Sequence, residues 1–223
     1  MKIHRMEQRT TEWMAVRLGI PTASNFDSVL MGKGTKGRQD YICRLVMERI
    51  LGIPMNDEFV SKWMEHGIAM EDEAIAEFRA MSNVMTERVG FITANNGRYG
   101  CSPDQLVIHD GMPVSCVEVK CPAPWTHCRY HVYGLGDAYK AQVQGQMLVT
   151  GFDRAYFYSY FPGMPPVSIE TKRDDKYIKN LEGELERFCD DVDKYVDHVK
   201  GIGPMDVFRA SRVYLDVLGR RRE

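Results

Sequence analysis

Two carboxylates and a lysine stand close together near the middle of this chain: Asp104, then Glu118 and Lys120 within the run V-S-C-V-E-V-K-C at 114–121. If that run is a strand, Glu118 and Lys120 share one face, about 6.6 Å apart at roughly 3.3 Å per residue, while Val117 and Val119 point the other way. A strand over 105–109 begins just after Asp104, and the Asp110-Gly111-Met112 turn returns the chain antiparallel. Such a hairpin sets Asp104 beside Glu118. Two carboxylates at one point repel, and one takes up a proton unless a cation sits between them. The simplest cation is a hard divalent ion, Mg²⁺ or Mn²⁺, which prefers oxygen ligands and keeps several waters. Lys120 is then placed to hold or deprotonate an attacking water. A plainer alternative exists for each residue: an Asp before a strand is often only a turn residue, and Glu and Lys two apart often line a solvated face.

A third acidic group adds weight to the metal reading. The pattern over 60–81 is that of a long helix with an apolar stripe of Met64, Ile68, Ile75 and Phe78, and Glu71 fills the gap in it. A carboxylate on a core-facing stripe is costly without a partner. It belongs to a buried ion pair, to a stripe edge that reaches water, or to the same metal as Asp104. The segment G-K-G-T-K-G-R at 32–38 nearly imitates a phosphate-binding loop, but Arg38-Gln39 replaces the required Lys-Ser/Thr and no strand precedes it. An NTPase is excluded. A mobile basic arm touching a phosphate backbone is the functional expectation there, with a plain surface loop as its alternative.

The elements that must position these groups read in order along the chain. Short helices are expected over 13–18 and 25–31, the second capped by Thr22 or Ser24, then an amphipathic helix over 39–51 and the long one over 60–81. Strands follow over 84–93 and 98–101, then the hairpin, ended by Pro122 and Pro124. Asp137 is expected to cap a helix over 138–149. Two more strands at 154–160 and 167–171 precede a charged helix over 174–199. The tail from Gly201, with Arg209, Arg212, Arg220, Arg221 and Arg222, reads as a helix or a partly ordered basic end. The result is a single α/β domain with a mixed sheet, and 223 residues suffice for its core. A net charge of -2 excludes a globally basic nucleic-acid binder, so any polyanion must be met by local patches and bound metal. Six cysteines without a C-x-x-C pair suit reduced, structural thiols. No signal-like start or membrane-length apolar run is present, so a cytoplasmic protein with no membrane partner is expected.

These residues resemble the PD-(D/E)xK nucleases, and within them the lambda-type phage 5′–3′ exonucleases of the YqaJ-like viral recombinase family. The matching stretches are W-M-A-V-R-L-G-I-P-T-A-S (13–24), H-G-I-A-M-E (66–71), C-S-P-D-Q-L (101–106), V-E-V-K-C-P (117–122) and Y-K-A-Q-V-Q (139–144). A lone D…ExK is common; five ordered segments are specific. The resemblance implies a restriction-endonuclease-like domain over 1–200, a central mixed sheet flanked by helices, with 201–223 appended to it. It implies that Asp104, Glu118 and the Val119 backbone carbonyl hold a metal, that Asp104 reaches a second ion with Glu71 acting through water, and that Lys120 handles the nucleophile. It further implies that Arg17, Ser24, Ser102 and Gln144 cradle a terminal 5′-phosphate beside the aromatic Trp13. Gln142 has the same amide chemistry but is expected on a different helical face. The gap from Asp104 to Glu118 exceeds the family's usual spacing, which points to a longer hairpin turn at 108–113.

The implied activity is Mg²⁺- or Mn²⁺-dependent digestion of linear double-stranded DNA from 5′ ends, with two ions per site. Mononucleotides are released and 3′ tails are left for an annealing protein; a homotrimeric ring around DNA is the family's assembly. A restriction- or repair-type endonuclease is the nearest competitor, and the end-recognition set Arg17/Ser24 argues against it. An iron–sulfur nuclease needs a cysteine cluster that these spacings lack. Cys121, His127, Cys128 and His131 imitate a zinc knot only poorly and are expected to be structural. A catalytically silent DNA-binding module has no use for paired carboxylates.

Overall fold

The computed structural model describes residues 1–55 and 62–219. The expected helix start at 60 and the terminal Arg220, Arg221, Arg222 and Glu223 lie outside the described residues. Eight strands are seen among those described: β1 (Lys2–His4), β2 (Met85–Glu87), β3 (Phe91–Thr93), β4 (Gly100–Cys101), β5 (Gln105–His109), β6 (Met112–Lys120), β7 (Arg154–Ser159) and β8 (Val167–Lys172). They form a small sheet in the order β1-β3-β4 and a larger one in the order β2-β5-β6-β7-β8. Only the β6–β7 pair of the larger sheet is parallel, which makes it mixed. The expected strand over 84–93 is therefore two strands, β2 and β3, in different sheets.

The β5–β6 hairpin closes through Asp110 and Gly111, both at positive φ (50° and 76°). Asp-Gly is the pair that a tight two-residue turn demands. The longer turn expected at 108–113 is not there. The extra length goes into the paired strands, where the register slips by one residue between Val107 and Ile108, because Val107 faces Ser115 and Ile108 faces Pro113. A bulge of this kind bends the strand without moving its far end.

Helices cover both faces of the larger sheet. On one face α4 (Lys62–Ser82) packs Ala74, Ile75 and Phe78 against Val107, Val117 and Val119. On the other, Leu106, Cys116 and Ala155 lie under Val143 and Met147 of α6 (Lys140–Thr150). Outside α6 sit α2 (Phe26–Leu30), α3 (Lys36–Leu51) and α7 (Asp175–Ile202), whose Phe26, Leu45, Leu181 and Phe188 complete this core. Gly145 permits the close approach, since a Cβ there would stand 2.3 Å from the ring of Phe26. Val117 and Val119 thus face α4, and Glu118 faces α6.

Several local expectations are corrected. Helix α3 starts at Lys36, so Arg38 leaves the basic loop: it is buried, donates to the Val29 carbonyl and stacks 5.0 Å from the Phe188 ring. An arginine so enclosed is no mobile arm for DNA. Neither Thr22 nor Ser24 caps α2; a short 3-10 turn, Ala23–Asn25, precedes it without a side-chain cap. Asp137 offers Lys140 its carbonyl (3.1 Å) rather than its carboxylate. No helix is expected after Pro124, yet α5 (Pro124–Tyr133) begins there, because proline suits the first helical position as well as it suits a stop. The C-terminal segment forms α8 (Val207–Gly219), tied to α3 by Ser211 donating to the Leu51 carbonyl (3.3 Å). No described helix is long and apolar enough to cross a membrane.

Candidate active site

The hairpin register brings the two central carboxylates together. Gln105 is opposite Val117, and the Asp104 N–H extends the ladder to the Val117 carbonyl at 3.1 Å, so Asp104 lies across from Glu118. The Asp104 carboxylate then accepts the Val119 N–H at 2.6 Å. Glu118 is 2% exposed, which would be prohibitive for a lone carboxylate. Three donors hold it: the Lys120 ammonium, the Gln142 amide at 2.6 Å and the Gln146 amide at 2.5 Å. The expected shared face of Glu118 and Lys120 is realised as a direct ion pair.

Electrostatics follow from this crowding. Burial, and next the charge of Glu118, push the Asp104 carboxyl well above the usual carboxylate range, against the pull of Lys120 and the Val119 N–H. Burial alone would lower Lys120, but the carboxylates of Glu118 and Asp104 outweigh it and hold the ammonium protonated. Lys120 also sits 5.5 Å over the ring of Tyr139.

These groups open onto a cleft of about 600 Å³, whose walls include Asp104, Val119, Lys120, Glu71, Arg9 and Tyr139. Glu71 reaches it from α4 and pairs with Arg9 at 2.6 Å. The apolar stripe of α4 is only half a core stripe: Ile75 and Phe78 are buried, while Met64 and Ile68 are about half exposed and line the same cleft. Glu71 marks the switch from core to cleft. Trp63 and Trp125 meet edge to face at the rim, 5.1 Å between centroids.

A second group lies beside it. Trp13, on α1 (Thr11–Arg17), donates its indole N–H to the Gly90 carbonyl (2.8 Å) and the Ser102 hydroxyl (3.1 Å). Arg17 stacks on the Trp13 ring at 3.7 Å. Its guanidinium faces a cavity of about 410 Å³ shared with Thr22, Asn25 and Arg44. Burial pulls Arg17 down to about 10, and its buried Nε has no hydrogen-bond partner. Ser24 bonds to Thr22 and Asn25 at 3.2 Å each and borders a neighbouring cavity with Gln142 and Tyr139.

Gln144 stands apart from all of these. It is 3% exposed, donates to the Lys172 carbonyl (2.9 Å) and accepts from the Asp174 N–H (3.0 Å), pinning α6 to the start of α7. The amide that reaches the acidic pair is Gln142, with Gln146 one turn later. Their spacing of four puts both on one helical face and Gln144 on another, a signal that groups them without saying which face meets the sheet. Tyr139 and Arg9 carried no such signal. His127 bonds to Ser159 (2.8 Å) and the Pro165 carbonyl (2.9 Å), and His131 to that carbonyl (2.8 Å), so both tie α5 to the end of β7 and the β7–β8 connection.

The comparisons place the chain among exonuclease-like nucleases. Residues 12–153 match the YqaJ-like viral recombinase domain, and the chain belongs to that family. It is similar to an alkaline exonuclease (LHK-Exo) from Laribacter hongkongensis, at 30% identity over 86% of this chain and 96% of that one, with a TM-score of 0.77. The same exonuclease in complex with dAMP gives 29% identity and a TM-score of 0.78, with coverage of 86% and 96%. A phage-related exonuclease from Haemophilus somnus 129PT shares the fold, at 13% identity, coverage of 82% and 95%, and a TM-score of 0.60. No curated protein matches the sequence significantly.

Proposed function

We propose that this protein is a divalent-metal-dependent exonuclease that degrades the 5′-ended strand of linear double-stranded DNA to mononucleotides. The carrying observation is the Asp104–Glu118 pair, set face to face by the hairpin register with Lys120 on the same cleft. The likeness to an alkaline exonuclease, one of whose structures holds dAMP, supports the reaction class and a nucleoside monophosphate product.

The donor set suits a hard cation. Burial and, after it, repulsion from Glu118 raise Asp104, and an ion held between the carboxylates would relieve that repulsion. Among the described residues no three or more His, Cys, Asp or Glu side chains converge as a cage. Asp104, Glu118 and the Val119 carbonyl therefore leave several positions for water, as Mg²⁺ and Mn²⁺ prefer. Asp104, Glu118 and the Val119 carbonyl would hold one such ion, and Glu71 would help hold a second through water; bound metal would supply acidification of water and charge neutralisation at the phosphoryl group. Lys120, kept cationic, orients the attacking water. The amides of Gln142 and Gln146 fix the Glu118 carboxylate. Arg17 offers a planar fork to the terminal phosphate, with Trp13 and Ser102 holding its platform. The 3′ tail for an annealing partner, a trimeric ring and the host cytoplasm belong to the same proposal.

The test compares a linear 5′-phosphorylated duplex with covalently closed circles in Mg²⁺. Release of nucleotides from the linear form alone is expected; cutting of circles would make the protein an endonuclease. Lys120→Ala should lose roughly 10²–10⁴-fold in rate while DNA binding persists, and unchanged turnover would remove Lys120 from the chemistry.

A further inference from the structure

We propose that Arg9 is a backbone-phosphate contact of the catalytic cleft, held in place by a strained main chain, and that its ligand is a phosphodiester of the DNA strand lying beside Asp104 and Lys120. This deepens the nuclease reading and rests on it. Four non-glycine residues among those described have positive φ: Arg9 (68°), Asn83, Asp110 and Tyr139. Asn and Asp tolerate that region; arginine and tyrosine seldom enter it. Both exceptions line the same cleft. Strain that clusters at one site and is enforced by its surroundings points to function there.

The enforcement is visible on either side of Arg9. Gln8 donates to the Val89 carbonyl (2.9 Å) and the Pro103 carbonyl (3.0 Å), which ties residue 8 to the loop carrying Asp104. The Thr10 hydroxyl donates to the Glu7 carbonyl (2.8 Å) and accepts the Trp13 N–H (3.3 Å), starting α1. Residue 9 is clamped between these anchors, and its side chain is sent to Glu71. That ion pair does not by itself account for the strain: the Arg9 side chain is about half exposed, so solvent screens the contact. It does aim the guanidinium. One hydrogen bond to Glu71 leaves most of the five N–H donors uncommitted at a wall shared with Asp104 and Lys120. A planar cation in that position matches two oxygens of a phosphodiester.

The backbone supplies the decisive control. Glycine is at ease at φ 68°, so Arg9→Gly deletes the side chain while relieving the chain, and its melting temperature should equal or exceed the wild type's. Binding of a 5′-phosphorylated linear duplex is then measured in EDTA across a salt series. We expect Arg9→Gly to bind about 10-fold or more weakly, with the slope of log K against log[salt] reduced by about 0.9. Arg9→Lys should restore the slope but not the full affinity, since an ammonium lacks the fork. Unchanged affinity and slope in Arg9→Gly would overturn the inference and leave Arg9 as the counter-ion of Glu71. Failure of the wild type to release nucleotides in Mg²⁺ is a separate result, and it strikes the nuclease reading instead.

Discussion

Replacing Gln146 with methionine probes how the buried Glu118 is held. Glu118 is 2% exposed and receives Lys120, Gln142 and Gln146 as donors. A hydrogen bond to a charged group contributes roughly 1.5–3 kcal/mol. Methionine keeps the length of Gln146 but donates nothing, so one of the three bonds is lost. An opposing gain arises because the Gln146 Oε1 is buried without a partner, and removing such an acceptor returns about 1 kcal/mol. The net cost is about 0.5–2 kcal/mol. For a chain of 223 residues, at about 2–4 °C per kcal/mol, the melting temperature in EDTA should fall by about 1–8 °C. Partners that orient a metal-binding carboxylate are typically worth about 10–100-fold in metal affinity. The Mg²⁺ concentration for half-maximal hydrolysis should therefore rise by that factor. A variant as stable as the wild type, with the same Mg²⁺ requirement, would refute both the clamp and the orienting role.

Asp104→Asn keeps an acceptor for the Val119 N–H and removes the charge facing Glu118. Because burial and Glu118 raise Asp104 in the folded state, its stabilising contribution is complete below the ordinary carboxylate value near 3.9 and is lost as pH climbs through the raised value. Thermal unfolding in EDTA should show the variant gaining on the wild type as pH rises from acid to neutral, and a constant difference would contradict this. Arg17→Ala should narrow the preference for 5′-phosphate over 5′-hydroxyl ends by about 10–100-fold, the worth of one charge-assisted contact, read from initial rates on the two linear duplexes. An untouched ratio would confine Arg17 to packing on Trp13.

Much of the site was legible because its logic is local. Alternation along 114–121 put Glu118 and Lys120 on one face and the valines on the other, and Asp110-Gly111 announced the turn that aligns Asp104 with them. Strand β5 coincides with the expected 105–109. Where two local rules competed, the reading went astray. Pro122 and Pro124 follow the end of the strand as expected, but Pro124 also starts a helix that no expectation contains. Arg38 reads as a loop cation and is instead a buried residue in α3's first turn. Glu71 is the stripe edge that its alternatives included, and the buried core begins about one turn after it. The amides on α6 show the limit most clearly: the 3.6-residue period separates Gln142 and Gln146 from Gln144, yet it does not say which set meets the sheet.

By itself the sequence determined the acidic pair, its lysine, the mixed α/β architecture and the family, because each is written in spacings of one to fifteen residues. Only the tertiary structure decided which partners those groups receive. The face that α6 turns to Glu118 depends on Gly145 settling against Phe26, two segments more than a hundred residues apart. The left-handed backbone of Arg9 depends on Gln8 reaching Val89 and Pro103. Contacts of that range are set by packing the whole core, and no local periodicity encodes them.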